Sequence, residues 1–251
     1  MTRLIPLLLC ACTPNTDTVV VPFGPDDFLR VVIHQTNGEV AVRRAETSKV
    51  EGALSWAGDT PPVVRTRLAG ETLLIFAECP TGTRRCSIDL DVSVPETTDV
   101  DVQSAEGGVL VEGVAGVVAL DVAVGAVTLK DVTGNTRVNL VEGDLGLDAV
   151  VGRLDLSIGT GDVDGTALSA PTFSMTAEKG GANLIFTDQP DILTLSTQRG
   201  DLNLQLPRGD YEITANAPRG DISILGVVNT VDAGSLVDLY TRRGSISIKG
   251  N

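Results

Sequence analysis

Hydrophobic positions alternate with polar ones through most of this chain, and between residues 107 and 161 the alternation is punctuated by glycine every nine residues. Gly107, Gly116, Gly125, Gly134, Gly143, Gly152 and Gly161 keep the step without a break. Aligned on them, the third position is Val109, Val118, Val127, Thr136, Leu145, Leu154 and Val163. The fifth is Val111, Leu120, Leu129, Val138, Leu147 and Leu156, ending in Gly165. Period-two alternation places both positions on one face of a strand. Each unit therefore predicts a short strand and a glycine corner, where positive φ or close backbone approach excludes a side chain.

One such strand cannot bury its apolar face alone, but two per turn, facing each other, can. The prediction is an 18-residue rung with two walls, repeated as a parallel solenoid. A three-sided helix of the same rung length would show a six-residue sub-repeat, whereas the sub-repeat here is nine. The pattern loosens but continues at Gly180, Gly200, Gly220 and Gly244. Residues 98–251 are accordingly expected to form about eight rungs.

Residues 28–97 read as all-β without the nine-residue step, either a β-hairpin cap or irregular first rungs. Asn37-Gly38 between alternating segments predicts one hairpin. Ala69-Gly70 predicts a second, and the segments ending at Cys79 and starting at Cys86 predict a third pair. A cap is physically useful, since an open solenoid end is a template for aggregation.

The N-terminus carries an apolar run from Leu4 to Leu9, too short to span a membrane. It leads into Leu9-Cys10-Ala11-Cys12, which resembles a bacterial lipobox. That resemblance implies a signal peptide over residues 1–11, lipidation of Cys12, and a tether over residues 12–27. Cys79 and Cys86 then remain as an expected disulfide in an oxidising compartment. Thr13 rather than Asp follows Cys12, and by analogy with lipoprotein sorting this implies the outer membrane, on either the periplasmic or the surface face.

The chain has 33 acidic and 19 basic residues, a net charge of −14, and loss of Arg3 with the signal would deepen it. Nucleic acid is excluded as an expected partner. The charge is uneven. Residues 98–172 hold 12 acids and 3 bases, and residues 173–251 hold 9 acids and 7 bases. Before successive corner glycines stand Lys179, Arg199, Arg219 and Arg243. Stacked rungs would align them roughly 4.8 Å apart. That column is either a salt-bridge ladder with Asp201 and Asp221 or a docking stripe for an anionic partner.

Three Arg-Gly-Asp triplets, at residues 199–201, 208–210 and 219–221, read as turns. No cofactor is expected, and no metal site beyond a weak calcium candidate at Asp144 and Asp162. Lys130 interrupts the column where a calcium-binding roll would need carboxylates. There is no nucleophile motif, no phosphate loop, and only one histidine, His34. The chain is not expected to be an enzyme, and a polysaccharide-active one is the least favoured alternative.

Glycine-acid-aliphatic runs such as Gly143-Asp144-Leu145, Gly200-Asp201-Leu202 and Gly220-Asp221-Ile222 follow an all-β lead and a lipobox. In this the chain resembles the bacterial putative-adhesin family with a toast-rack-like β-solenoid, over residues 28–251. The resemblance implies the fold, an envelope location and a non-enzymatic binding scaffold for an envelope or extracellular protein or glycan. It brings no catalytic residues. The alternative is a periplasmic structural or envelope-stress module that self-associates through an edge rung, expected at Ser245–Ile248.

Overall fold

The computed structural model describes residues 14–24 and 28–251. The expected signal peptide and the expected lipidation site, Cys12, lie outside the described residues. The first strands are β1 (Asn15–Phe23), β2 (Arg30–Gln35), β3 (Val40–Arg44), β4 (Ser48–Ala57), β5 (Val63–Ala69), β6 (Thr72–Glu78) and β7 (Arg84–Val94). The regular region follows with β8 (Asp99–Glu106), β9 (Val109–Glu112), β10 (Val118–Val124), β11 (Val127–Lys130), β12 (Thr136–Glu142), β13 (Leu145–Asp148), β14 (Leu154–Thr160) and β15 (Val163–Leu168). The chain continues through β16 (Thr172–Lys179), β17 (Ala182–Phe186), β18 (Ile192–Thr197), β19 (Leu202–Leu206), β20 (Asp210–Asn216), β21 (Ile222–Leu225), β22 (Val228–Asn229), β23 (Leu236–Thr241) and β24 (Ile246–Gly250).

These strands form two walls of twelve. The front wall runs β22-β20-β23-β18-β16-β14-β12-β10-β8-β2-β6-β5, and the back wall β1-β4-β7-β3-β9-β11-β13-β15-β17-β19-β24-β21. In the regular region each strand pairs in parallel with its counterpart 18 residues on, as Val118 does with Val100 and Thr136. The predicted inward positions fill the space between the walls: Val118, Leu129, Val138, Leu145 and Leu156 are all buried. Gly165 breaks the fifth-position column, and the chain compensates by shifting register there, so that Leu168 reaches the vacated space.

The glycines make the corners. At the corner where the chain passes from the front wall to the back wall, Gly38, Gly107, Gly125, Gly143, Gly161, Gly180, Gly200, Gly244 and Gly220 stack in that order along the solenoid, and from Gly107 on each would press a Cβ against its neighbour's carbonyl. Gly116, Gly134 and Gly152 stack at the opposite corner. Only a residue without a side chain lets successive rungs close to strand spacing here.

Residues 28–97 prove to be both rungs and cap. Strands β2 and β3 form a rung against β8 and β9, and β6 and β7 form the next rung outward. Asn37-Gly38 is therefore a corner between walls, not a hairpin. The same holds for the Cys79–Cys86 segment, whose disulfide closes a corner between β6 on the front wall and β7 on the back. The hairpin at Gly70 is real, with β5 antiparallel to β6. On the back wall β4 covers β7, and β1 covers β4, both antiparallel. Thus residues 15–23, expected as tether, are a strand. Its Val19, Val21 and Phe23 pack against the core, which a solvated tether would not do.

The end of the chain departs from simple stacking. Strands β23 and β24 insert inside the preceding rung, with β24 between β19 and β21. The segment Ser245–Ile248 is therefore interior, and β21 is the edge. Val237, Leu239, Ile246 and Ile248 are buried in the inserted rung, which has neighbours on both sides, whereas Ile222 in the outer one is 45% exposed. Buried Tyr211 closes this end beneath β22, its hydroxyl donating to the Pro207 carbonyl at 2.7 Å, and burial raises its pKa.

Candidate binding surface

The front wall alternates like any half-buried sheet, so every second side chain faces solvent. Each rung then departs from strict pairing just before the corner. Val122 pairs with Leu140 and Val124 with Glu142, leaving Ala123 and Val141 outside the register. The same skip recurs at Gly159 and Glu178. After the skip, the residue preceding the corner glycine points out along the edge of the wall.

In the second half of the stack those residues are the cations. Thr160 pairs with Lys179, the Gly180 N–H donates to the Arg199 carbonyl at 2.8 Å, and the Gly200 N–H donates to the Arg243 carbonyl at 3.0 Å. Gly220 lies against Gly244, so Arg219 comes last. The column exists as expected, but its spatial order is Lys179, Arg199, Arg243, Arg219. Arg242 stands beside it, in line with Gln198 and Glu178, and together they line a cleft of about 260 Å³. Arg242 was missed in the sequence because it does not precede a glycine; its register with Gln198 appears only once β23 is placed beside β18.

All five cations are exposed. Among the described residues the ion pairs are elsewhere, such as Lys130 with Glu112 at 2.8 Å and Arg30 with Asp101 at 2.6 Å, and none includes any of the five. The expected salt-bridge ladder is absent because the corner acids face another task. An Asp201 oxygen accepts the Ser245 N–H at 2.7 Å, Asp162 accepts Gly181 at 2.7 Å, and Asp144 accepts Asp162 at 2.9 Å. Each carboxylate thereby satisfies a backbone donor one rung away. That also accounts for Asp144 and Asp162 chemically, and among the described residues no cluster of three or more metal-ligating side chains forms.

Cations at neighbouring corners repel one another, to an extent limited by their exposure to water and salt. An anion laid along the column relieves that repulsion and adds charge-assisted hydrogen bonds. The two Arg-Gly-Asp triplets at Gly200 and Gly220 are parts of these corners. His34, the single histidine, stacks face to face on Phe76 with ring centroids 5.2 Å apart.

Walls, corners and outward side chains together define a two-walled parallel β-solenoid with an aliphatic interior and chemistry confined to its outer faces. The sequence profile of the Toastrack DUF4097 family matches residues 30–234, and the chain belongs to that family. Solved structures of similar shape include a putative adhesin from Parabacteroides merdae ATCC 43184, 13% identical, with 93% of this chain and 95% of that one covered and a TM-score of 0.49. A putative adhesin from Bacteroides fragilis NCTC 9343 is 10% identical, with coverages of 94% and 97% and a TM-score of 0.49. A putative cell adhesion protein from Clostridium sporogenes ATCC 15579 is 10% identical, with coverages of 95% and 100% and a TM-score of 0.38. No curated protein matches the chain.

Proposed function

We propose that this chain is a non-enzymatic, lipid-anchored scaffold of the bacterial cell envelope, held by Cys12 to the outer membrane and binding an anionic partner through its cation column. The observation that carries the reading is the column with Arg242 beside it: five exposed cations that form no ion pair among the described residues, on a chain of net charge −14. A surface that concentrates unpaired positive charge against such a background attracts anions by its local field rather than by net charge.

Retention on a heparin column tests it. The wild-type protein is expected to bind and to elute with salt, and Arg199→Glu/Arg243→Glu to flow through. Flow-through of the wild type refutes the binding surface. The anchor is tested separately, since Cys12→Ala should abolish incorporation of radiolabelled palmitate. Protease treatment of intact against permeabilised cells then decides between a surface and a periplasmic face.

Self-association is a second reading, favoured by one observation. Strand β21 ends the back wall, paired with β24 along one side only, with Leu225 62% exposed and, just beyond it, Val231 80% exposed. An open strand edge beside apolar surface is suited to pairing with a second copy. Concentration-dependent mass in sedimentation, removed by Ile222→Pro, is the expected result, since the parallel ladder turns the Ile222 N–H to the open edge; a monomer at all concentrations refutes it.

A further inference from the structure

The cation cluster is one end of a longer depression. The register skips before each corner leave a trough along the front wall, in three hollows that share residues. The first, about 420 Å³, lies over Ala105, Ala123 and Val141, with His34 and Glu78 at its far end. The second, about 560 Å³, continues from Asn139 and Val141 to Glu178 and Gln198. The third is the cationic cleft, which begins at those same two residues. From Glu78 on β6 to Arg242 just after β23 the trough crosses nine strands, about 38 Å at the usual strand spacing.

Two features set the chemistry of an occupant. The row beside the floor is amide and hydroxyl apart from one carboxylate: Gln103, Asp121, Asn139, Ser157, Thr176 and Ser196 fall in one register, ending at Tyr240. Asn139 donates to Asp121 at 3.0 Å within this row. The charge is also graded. Glu78 and Asp121 line the far hollow, and Lys179, Arg199, Arg242 and Arg243 line the near one. A uniformly charged polyanion would gain at one end and be repelled at the other. A polyhydroxylated chain with sparse acidic groups matches both ends.

We infer that the trough binds a linear glycan, its neutral sugars along the amide-and-hydroxyl row and an acidic sugar on Lys179, Arg199, Arg242 and Arg243. This rests on the cation column being a binding surface and adds the ligand class and the direction in which it lies. Neutral sugars hydrogen-bond to Asn139, Ser157, Thr176 and Ser196, the acidic sugar's carboxylate takes guanidinium donors, and Tyr240 offers a ring face beside them.

Titration calorimetry with hyaluronan oligosaccharides, which alternate uronate and neutral amino sugar, tests it against neutral chitin oligosaccharides and inorganic polyphosphate. Two variants divide the site. Arg199→Ala/Arg243→Ala removes charge, and Ser157→Ala/Thr176→Val removes hydroxyls from exposed strand positions without adding bulk. A hyaluronan octasaccharide is expected to bind the wild type. Its affinity should fall about tenfold or more in the arginine variant and about threefold to tenfold in the hydroxyl variant. Polyphosphate binding should respond to the arginine variant alone. Hyaluronan binding that ignores the hydroxyl variant overturns the trough and leaves the column standing, as does binding of polyphosphate without hyaluronan. Binding of chitin oligosaccharides as tight as hyaluronan overturns the assigned acidic end. If neither anionic probe binds, the column falls too.

Discussion

Replacing Gly143 with alanine adds a single methyl group where the solenoid has no room for one. Gly143 has φ +145°, and a Cβ built on it would lie 2.0 Å from the Gly125 carbonyl oxygen. Holding a non-glycine residue at that φ costs about 1–3 kcal/mol. Relieving the contact requires the rungs to part at the corner, which strains the bonds from Gly125 N–H to Glu142 and from Gly143 N–H to Thr160, both 2.9 Å. Each contributes about 1 kcal/mol net. The total is on the order of 4 kcal/mol, a loss confined to severe substitutions. For a chain of this size that lowers Tm by about 8–16 °C. Two other glycines separate the causes. Gly58 has φ +108° but nothing within 4 Å of an added Cβ, so Gly58→Ala isolates the backbone strain. Gly146 has neither positive φ nor a contact closer than 3.8 Å, so Gly146→Ala should be neutral or stabilise by about 0.5–1 kcal/mol. Urea and thermal unfolding followed by circular dichroism should rank Gly143→Ala well below Gly58→Ala, and Gly58→Ala below Gly146→Ala. A Gly143→Ala protein within about 1 kcal/mol of Gly58→Ala would refute the close-stacked corner, because strain alone would then account for the loss.

Thr136 is 2% exposed in a core row, and its Oγ1 has no hydrogen-bond partner. Thr136→Val keeps the shape, removes the buried polar atom and should raise the urea midpoint by the equivalent of about 1–2 kcal/mol; a lowered midpoint refutes this. Removing the corner disulfide with Cys79→Ser/Cys86→Ser should destabilise by about 2–3 kcal/mol, the loop-closure value for so short a loop, and increase amide exchange first in β6 and β7. The hydrogen bond and charge of Lys130 hold the Glu112 carboxyl below the usual carboxylate range, and Glu112 reciprocally holds the Lys130 ammonium above its usual value. The carboxylate's contribution is therefore present above its unfolded pKa and lost as pH falls through the lowered folded one. The ammonium's is present below its unfolded pKa and lost as pH rises through the raised one. The difference in Tm between wild type and Lys130→Met should peak between those limits, vanish beyond both and shrink with salt; a difference independent of pH refutes the pair.

The regular rungs were legible because each repeats the same physical problem, so the answer is written seven times in glycines and in the rows ending at Val163 and Leu156. Asn37-Gly38 misled because a corner and a hairpin place the same demand on glycine, a positive φ, here +119°. What tells them apart is whether the flanking strands share a wall, and that depends on partners far along the chain: β2 needs β8, and β3 needs β9. The insertion of β23 and β24 is likewise invisible to local pattern. It shows only in the long-range pairing of β23 with β18 and of β24 with β19. The cation column was legible from residues preceding glycines; its order, and the place of Arg242 within the cleft, waited on that insertion.

The same architecture explains why the charge gradient is informative. Inward rows are fixed by the stack, since every Val118 must meet a Val100 and a Thr136 at strand spacing. Outward rows carry no such demand, and neutral, salt-bridged or hydrogen-bonded choices are all open to them. Elsewhere the chain makes those choices: Asp121 accepts from Asn139, Asp164 from Asn183, and Glu112 takes Lys130. Asp144, Asp162 and Asp201 are tied to backbone amides. Only a few positions away from the carboxylate of Asp201, four successive corners place an unpaired cation instead. Repulsion within the column works against folding, screened by water and salt, and nothing in the stacking geometry requires it, because glutamate, valine and threonine occupy the same position at Glu106, Val124, Glu142 and Thr160. A feature that the fold does not need and that works against stability is best explained by what it binds. Replacing Lys179 and Arg199 with threonine should therefore stabilise the solenoid while weakening heparin retention, and a loss of stability would show that the column serves the fold instead.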